Sequence, residues 1–177
     1  MKKVLALILL SWTLTASAFW QGITAKSWLV ADETGKVLQS ENIHEVRSIA
    51  SISKLMTVMV VLDAKQDLDQ YIKPYTRREL IQLALVKSDN AAAQTLCDNY
   101  PGGKHSCVTA MNYKSQELGM SNTRFVEPTG LSVFNVSTAE ELIKLVIKAE
   151  EYPEIVSASR TSEVKIKLRN KWFVFKN

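Results

Sequence analysis

From Ala50 to Lys65 the chain is almost continuously apolar at helical spacing, through Ile52, Leu55, Met56, Met59, Val60 and Leu62, yet its first turn holds Ser51 and Lys54. A helix this apolar is buried on most sides rather than laid on a surface, so the fold has to wrap around it. On a helix, residues three apart share a face with Cβ atoms about 5 to 6 Å apart, which brings Lys54 within reach of the Ser51 hydroxyl. A second Ser-x-x-Lys, Ser162 to Lys165, leads into Val164, Ile166 and Leu168, which alternate as in a strand. Residues three apart on a strand point to opposite faces, so that match is set aside.

A serine hydroxyl is a weak nucleophile at neutral pH and needs a base in hydrogen-bond reach. Lys54 fills that role only if desolvation or a neighbouring positive charge lowers its pKa, and an apolar helix supplies the desolvation. Ser88-Asp89-Asn90 adds polar groups in a tight link between two helical segments. Ser88 could relay a proton between Lys54 and a leaving amine, and Asn90 could hold Lys54 or accept a substrate amide. The triplet's bland reading is a helix cap, and Ser40-Glu41-Asn42 shows that Ser-x-Asn alone is not specific. The backbone N–H of Ser51, at a helix start, is a candidate half of an oxyanion hole. His44 and His105 lie in no serine or cysteine elbow, and two His with two Cys at these spacings make no zinc signature. No cofactor or metal is expected.

Elsewhere the pattern alternates between strands and helices. Ser27 to Ala31 and Lys36 to Ser40 flank a turn-forming Asp32-Glu33-Thr34-Gly35 and read as a hairpin. Thr76-Arg77-Arg78-Glu79 is a capping box opening a helix to about Lys87, and Ala91 to Asp98 resumes helical composition. Further helices are expected from His105 to Leu118 and after Thr138, ending before Pro153, with Glu127-Pro128-Thr129-Gly130 an ordered turn between them. Val164 to Leu168 and Trp172 to Phe175 read as a second hairpin. Strands at both ends of a helical middle give an α+β class. Cys97 and Cys107 flank Tyr100-Pro101-Gly102-Gly103, a turn that could bring them together as a disulfide, with two buried thiols the alternative.

Lys2 and Lys3, an apolar stretch from Val4 to Thr15 and the small residues Ala16-Ser17-Ala18 predict a cleaved export leader over residues 1–18, leaving one domain from 19 to 177. A single uncleaved anchor competes, but the stretch is short for a bilayer, and no stable membrane span is expected after cleavage. Without Lys2 and Lys3 the charge is nearly balanced, and no basic run with interleaved aromatics marks a nucleic-acid partner.

Ser51-Ile52-Ser53-Lys54 and Ser88-Asp89-Asn90, in this order, resemble the first two motifs of the penicillin-interacting serine DD-peptidases and β-lactamases. The text from Arg47 to Thr57, from Tyr100 to Lys104 and from Leu118 to Ser132 resembles the D-alanyl-D-alanine endopeptidases of the penicillin-binding protein 7 type. That resemblance implies a periplasmic serine peptidase of the endopeptidase or carboxypeptidase kind, cutting peptidoglycan peptide crosslinks through an acyl-serine. It implies β-lactams as covalent inhibitors, with Ser51 as nucleophile, Lys54 as base, Ser88 as proton relay and Asn90 as substrate-positioning residue. No Glu-x-x-Leu-Asn segment supports a β-lactamase. The family's third motif, Lys-Thr-Gly on a cleft strand, does not occur among these 177 residues. The expectation is an incomplete DD-peptidase/β-lactamase-like fold, a helical cluster with a partial antiparallel sheet, lacking that strand and the C-terminal elements. Its alternative is a non-catalytic remnant that binds the cell wall or a partner.

Overall fold

The computed structural model describes residues 23–177, so the expected leader over residues 1–18 lies outside the described residues. In chain order the elements are strands β1 (Trp28–Ala31), β2 (Val37–Glu41) and β3 (Arg47–Ser48), a 3₁₀ turn (Ala50–Ile52) and helix α1 (Ser53–Asp63). Strands β4 (Tyr71–Ile72) and β5 (Tyr75–Thr76) precede α2 (Arg77–Val86), α3 (Asn90–Asp98) and α4 (Gly103–Glu117). Strand β6 (Val136–Ser137), α5 (Ala139–Ala149), α6 (Pro153–Ser159), β7 (Glu163–Leu168) and β8 (Lys171–Lys176) complete the described chain.

The core is built around α1. Met56, Val58, Met59 and Val61 are fully buried there, and the helix packs on α2, α3, α4 and α5. Leu80, Ile81, Leu83 and Ala84 of α2 and Ala93 and Leu96 of α3 close one side, with Met111 of α4 and Leu145 of α5 on others. Every strand pairing is antiparallel, and the described strands make four separate two-stranded ladders: β1 with β2, β3 with β6, β4 with β5 and β7 with β8. Among the described residues no helix is long and apolar enough to cross a membrane.

Local chemistry explains the boundaries. Thr76 caps α2 reciprocally with Glu79, its Oγ1 accepting the Glu79 N–H at 3.2 Å while the Glu79 carboxylate accepts the Thr76 N–H at 2.7 Å. Asp89 caps α3 by accepting the Ala92 N–H at 3.0 Å. The β7–β8 hairpin turns on Arg169 and Asn170, at φ 46° and 64°, the pair of left-handed residues that a two-residue turn demands. Several features differ from what the sequence predicts, among them the two-residue ladders β3–β6 and β4–β5, which it does not foresee. The helix expected from Ala50 begins at Ser53, after the 3₁₀ turn, and α6 starts at Pro153, where the sequence reading only ended a helix. Proline lacks an N–H and fixes φ, which suits the first helical position as well as the end of the preceding element.

Cys97 near the end of α3 and Cys107 in α4 are joined by a disulfide, with Cα atoms 5.4 Å apart. The chain between them turns through Gly102, at φ 82°, where a Cβ would strike the Ser106 side chain. The bridge therefore pins two helices that both pack on α1. Reduction, or Cys97→Ser with Cys107→Ser, is expected to lower unfolding stability by about 2 to 3 kcal/mol, read as a shift of the urea midpoint between oxidised and reduced protein; coincident curves would contradict it.

Candidate active site

Lys54 is 2 % exposed, although it carries an amine in the first turn of α1. Its Nζ donates to the Ser51 Oγ at 2.8 Å and to the Thr129 carbonyl at 2.7 Å, and it makes no ion pair with a described carboxylate. Burial pushes its pKa below the ordinary lysine value of 10.5, against the opposing pull of the Glu127 and Asp89 charges. Ser51, by contrast, is an exposed residue, so the pair joins a buried amine to a residue at the surface.

The turn expected at Glu127–Gly130 forms, and it does more than reverse the chain. The Glu127 carboxylate accepts the Thr129 N–H and hydroxyl at 2.7 and 2.6 Å, the Gly130 N–H at 2.7 Å and the Asn135 Nδ2 at 3.1 Å. Burial raises the pKa of Glu127, but these donors outweigh burial and hold it below its usual value. A carboxylate so fully engaged keeps its charge without becoming a direct partner of Lys54. Asn135, fully buried, donates to the Ser53 Oγ at 2.9 Å and accepts the Val126 N–H at 2.8 Å, while the Thr57 hydroxyl donates to the Pro128 carbonyl at 2.8 Å. Ser53, Lys54 and Thr57 thus fasten the 126–135 loop to one end of α1.

That fastening is close enough to require glycine. Gly130 has φ 84°, and a Cβ on it would overlap the Ala50 carbonyl and lie 2.8 Å from the Ser51 nitrogen. Ala50 itself is left-handed, at φ 44°. A non-glycine residue in that region costs on the order of 1 to 3 kcal/mol and persists where its surroundings enforce it. The strain falls on the residue before Ser51 and turns the chain sharply into α1.

Ser88 and Asn90 are placed by the α2–α3 link. Ser88 is exposed and left-handed at φ 55°, and Asn90 opens α3, which packs on α1. Neither side chain hydrogen-bonds another described residue, and it is Asp89 between them whose charge bears on Lys54. The structure therefore joins Ser51 to Lys54 directly, and brings the triplet alongside without a bond from Ser88 or Asn90 to either. Thr129, Gly130 and Asn135 were missed as site residues. The polar Glu127–Gly130 turn was the one visible signal, whereas Asn135 meets Ser53 across 82 positions and nothing local marks it.

Chemically, this is an exposed serine whose hydroxyl is hydrogen-bonded to a buried amine. The family described as D-alanyl-D-alanine carboxypeptidase matches residues 13–74 and 68–177. This chain belongs to that family. It is 44% identical over 171 residues to a D-alanyl-D-alanine endopeptidase of Pseudomonas aeruginosa, covering 85% of this chain and 55% of that protein. It is 46% identical over 162 residues to a D-alanyl-D-alanine endopeptidase of Escherichia coli K12, covering 80% and 52%. The chain thus spans about half the length of these curated relatives. Among solved structures it is similar to a D-alanyl-D-alanine carboxypeptidase from Mycobacterium tuberculosis, with a TM-score of 0.79, 28% identity and coverage of 86% of this chain and 66% of that one. A penicillin-binding protein D2 from Listeria monocytogenes, in a cefotaxime-bound form, gives a TM-score of 0.68 at 30% identity, covering 82% and 68%. The α+β architecture is that of the DD-peptidases and penicillin-binding proteins, as the sequence resemblance implied.

The contact at Gly130 yields a graded prediction. Gly130→Ala is expected to destabilise by on the order of 2 to 4 kcal/mol, because a methyl there collides with backbone. Gly119→Ala, at φ 65° where a Cβ meets only the Lys144 Nζ at 3.7 Å, bears the left-handed penalty alone, about 1 to 2 kcal/mol. Equal losses in urea denaturation would show that the loop's approach to Ala50 does not matter.

Proposed function

We propose that this chain carries the acyl-serine machinery of a D-alanyl-D-alanine peptidase acting on peptidoglycan peptide crosslinks, and that β-lactams acylate it at Ser51. The observation that carries the reading is the 2.8 Å hydrogen bond between the Ser51 hydroxyl oxygen and an amine that is 2 % exposed. A neutral lysine has two N–H groups and one lone pair. With one N–H held by the Thr129 carbonyl, the lone pair is free to take the Ser51 proton as Oγ attacks the carbonyl carbon. The protonated Lys54, directly or through Ser88, then gives that proton to the leaving amine. Asn90 positions the substrate amide from the first turn of α3, and the Ser51 N–H donates to the developing oxyanion.

The endopeptidase names of the Pseudomonas and Escherichia relatives support the substrate class, and the cefotaxime-bound and ampicillin-bound Listeria structures support β-lactams as acylating agents. Export to the periplasm, with cleavage after Ala18 and the domain running from 19 to 177, rests on the composition of residues 1–18.

Fluorescent penicillin labelling tests the reading, with Ser51→Ala expected to abolish the label; equal labelling would remove Ser51 as nucleophile and favour a binding protein without catalysis. Lys54→Arg keeps a cation but cannot shed its proton, and is expected to slow acylation by about 100- to 10,000-fold. A merely structural need for positive charge would leave Lys54→Arg near the parent rate.

The pH dependence follows from burial. Because the Lys54 pKa lies below 10.5 in the folded protein, acylation should rise with pH as Lys54 deprotonates and level off below 10.5. Over the same window stability should gain, since below the depressed value the fold bears a buried charge that the unfolded chain carries freely, and that cost is relieved as the proton leaves. Stopped-flow acylation between neutral and alkaline pH checks the first claim, and a flat profile would contradict Lys54 as the base.

A further inference from the structure

The β7–β8 hairpin carries five of the chain's 22 basic residues, Lys165, Lys167, Arg169, Lys171 and Lys176, against one acid, Glu163. At its tip lies a cavity of about 500 Å³ between the hairpin and the β4–β5 turn. Lys73, Lys167, Arg169 and Lys171 line it together with Tyr71 and Phe173. None of those four cations makes an ion pair or side-chain hydrogen bond with another described residue. Lys165, outside the cavity, is engaged by Glu163 at 3.2 Å. Tyr71 and Phe173 are 64% and 44% exposed, so aromatic faces are open beside the uncompensated charge. Lys171 and Phe173, two apart on β8, share one face, alternating along the strand with Trp172 on the other.

Four cations lining one cavity give it a positive field, which attracts a ligand of opposite charge. The concave shape suits a short ligand rather than a duplex or a flat membrane surface, since a cavity of this size encloses a small molecule or a few residues of chain. The two walls pair donors for carboxylates with rings for aliphatic stems. Lys73 and Pro74 also line a second, neighbouring cavity of about 220 Å³, to which Asp89 of the α2–α3 link contributes.

We infer that this basic cavity is a docking site for a carboxylate-bearing peptide strand of peptidoglycan, holding a part of the substrate remote from the scissile bond. The identity of the ligand rests on the proposed peptidase function; the cavity and its charge do not. Binding energy gained there would be available to align the crosslink at Ser51.

The test is calorimetric titration of the protein with a soluble muropeptide bearing free carboxylates and with the same peptide after its carboxylates are amidated. The free acid is expected to bind at least about tenfold tighter, and added salt to narrow the gap. Lys73→Glu with Lys171→Glu, one change on each wall, should remove the preference, whereas Lys165→Glu, the same kind of charge reversal outside the cavity, should keep it. Equal loss in the Lys165 variant would reduce the effect to net charge and overturn the proposal. So would equal binding of acid and amide, or preference for anionic lipid vesicles over the peptide. Penicillin labelling of the same samples separates the two ideas: labelling without peptide binding sinks the cavity alone, and binding without labelling sinks the acyl-serine reading alone.

Discussion

The burial of one amine organises this molecule. Lys54 is taken out of water with no carboxylate to neutralise it, and two oxygens, the Ser51 hydroxyl and the Thr129 carbonyl, receive its hydrogens. Burial without a counter-ion disfavours the charged amine and lowers its pKa, the condition that the proposed role as base requires. The nearby acids do not undo this. Glu127 spends its lone pairs on Thr129, Gly130, Ser132 and Asn135, and Asp89 caps α3, so both act on Lys54 through space and neither bonds it.

The rest of the site follows from holding that amine still. The carbonyl of Thr129 is useful only if its loop keeps a fixed distance from α1, and three contacts from Ser53, Lys54 and Thr57 set that distance. The consequence is a backbone approach so close that position 130 has no room for a side chain, and a left-handed Ala50 at the entrance to α1. Strain beside Ser51 and dense hydrogen bonding beneath it are two sides of one arrangement: the second enforces the first.

Much of this was legible from residues. The apolar helix, the capping box at Thr76, both hairpins and the joining of Ser51 to Lys54 depend on neighbours within a few positions, and periodicity reports such neighbours well. Other features do not announce themselves locally. The two-residue strands β3 and β6 pair across 88 positions or more, as Arg47 meets Ser137, and a pair of residues carries no period to detect. Asn135 looks like any loop asparagine until folding sets it against Ser53. Proline at 153 was read as a stop when it also starts α6, because the same missing N–H serves both ends.

The chain uses lysine in two opposite ways, and the contrast is informative about how environment assigns chemistry. Burial lowers the Lys54 pKa, which suits the proton transfer proposed for it. Lys73, Lys167 and Lys171 instead line an open cavity, the one proposed to dock an anionic ligand. The difference arises from the elements that carry them. A helix packed on four others dries whatever its first turn holds, while a two-stranded hairpin has one covered face and leaves its tip in water. The same side chain thus meets burial on α1 and open water at the β7–β8 tip, and those surroundings suit the proton transfer proposed for the first and the anion binding proposed for the second.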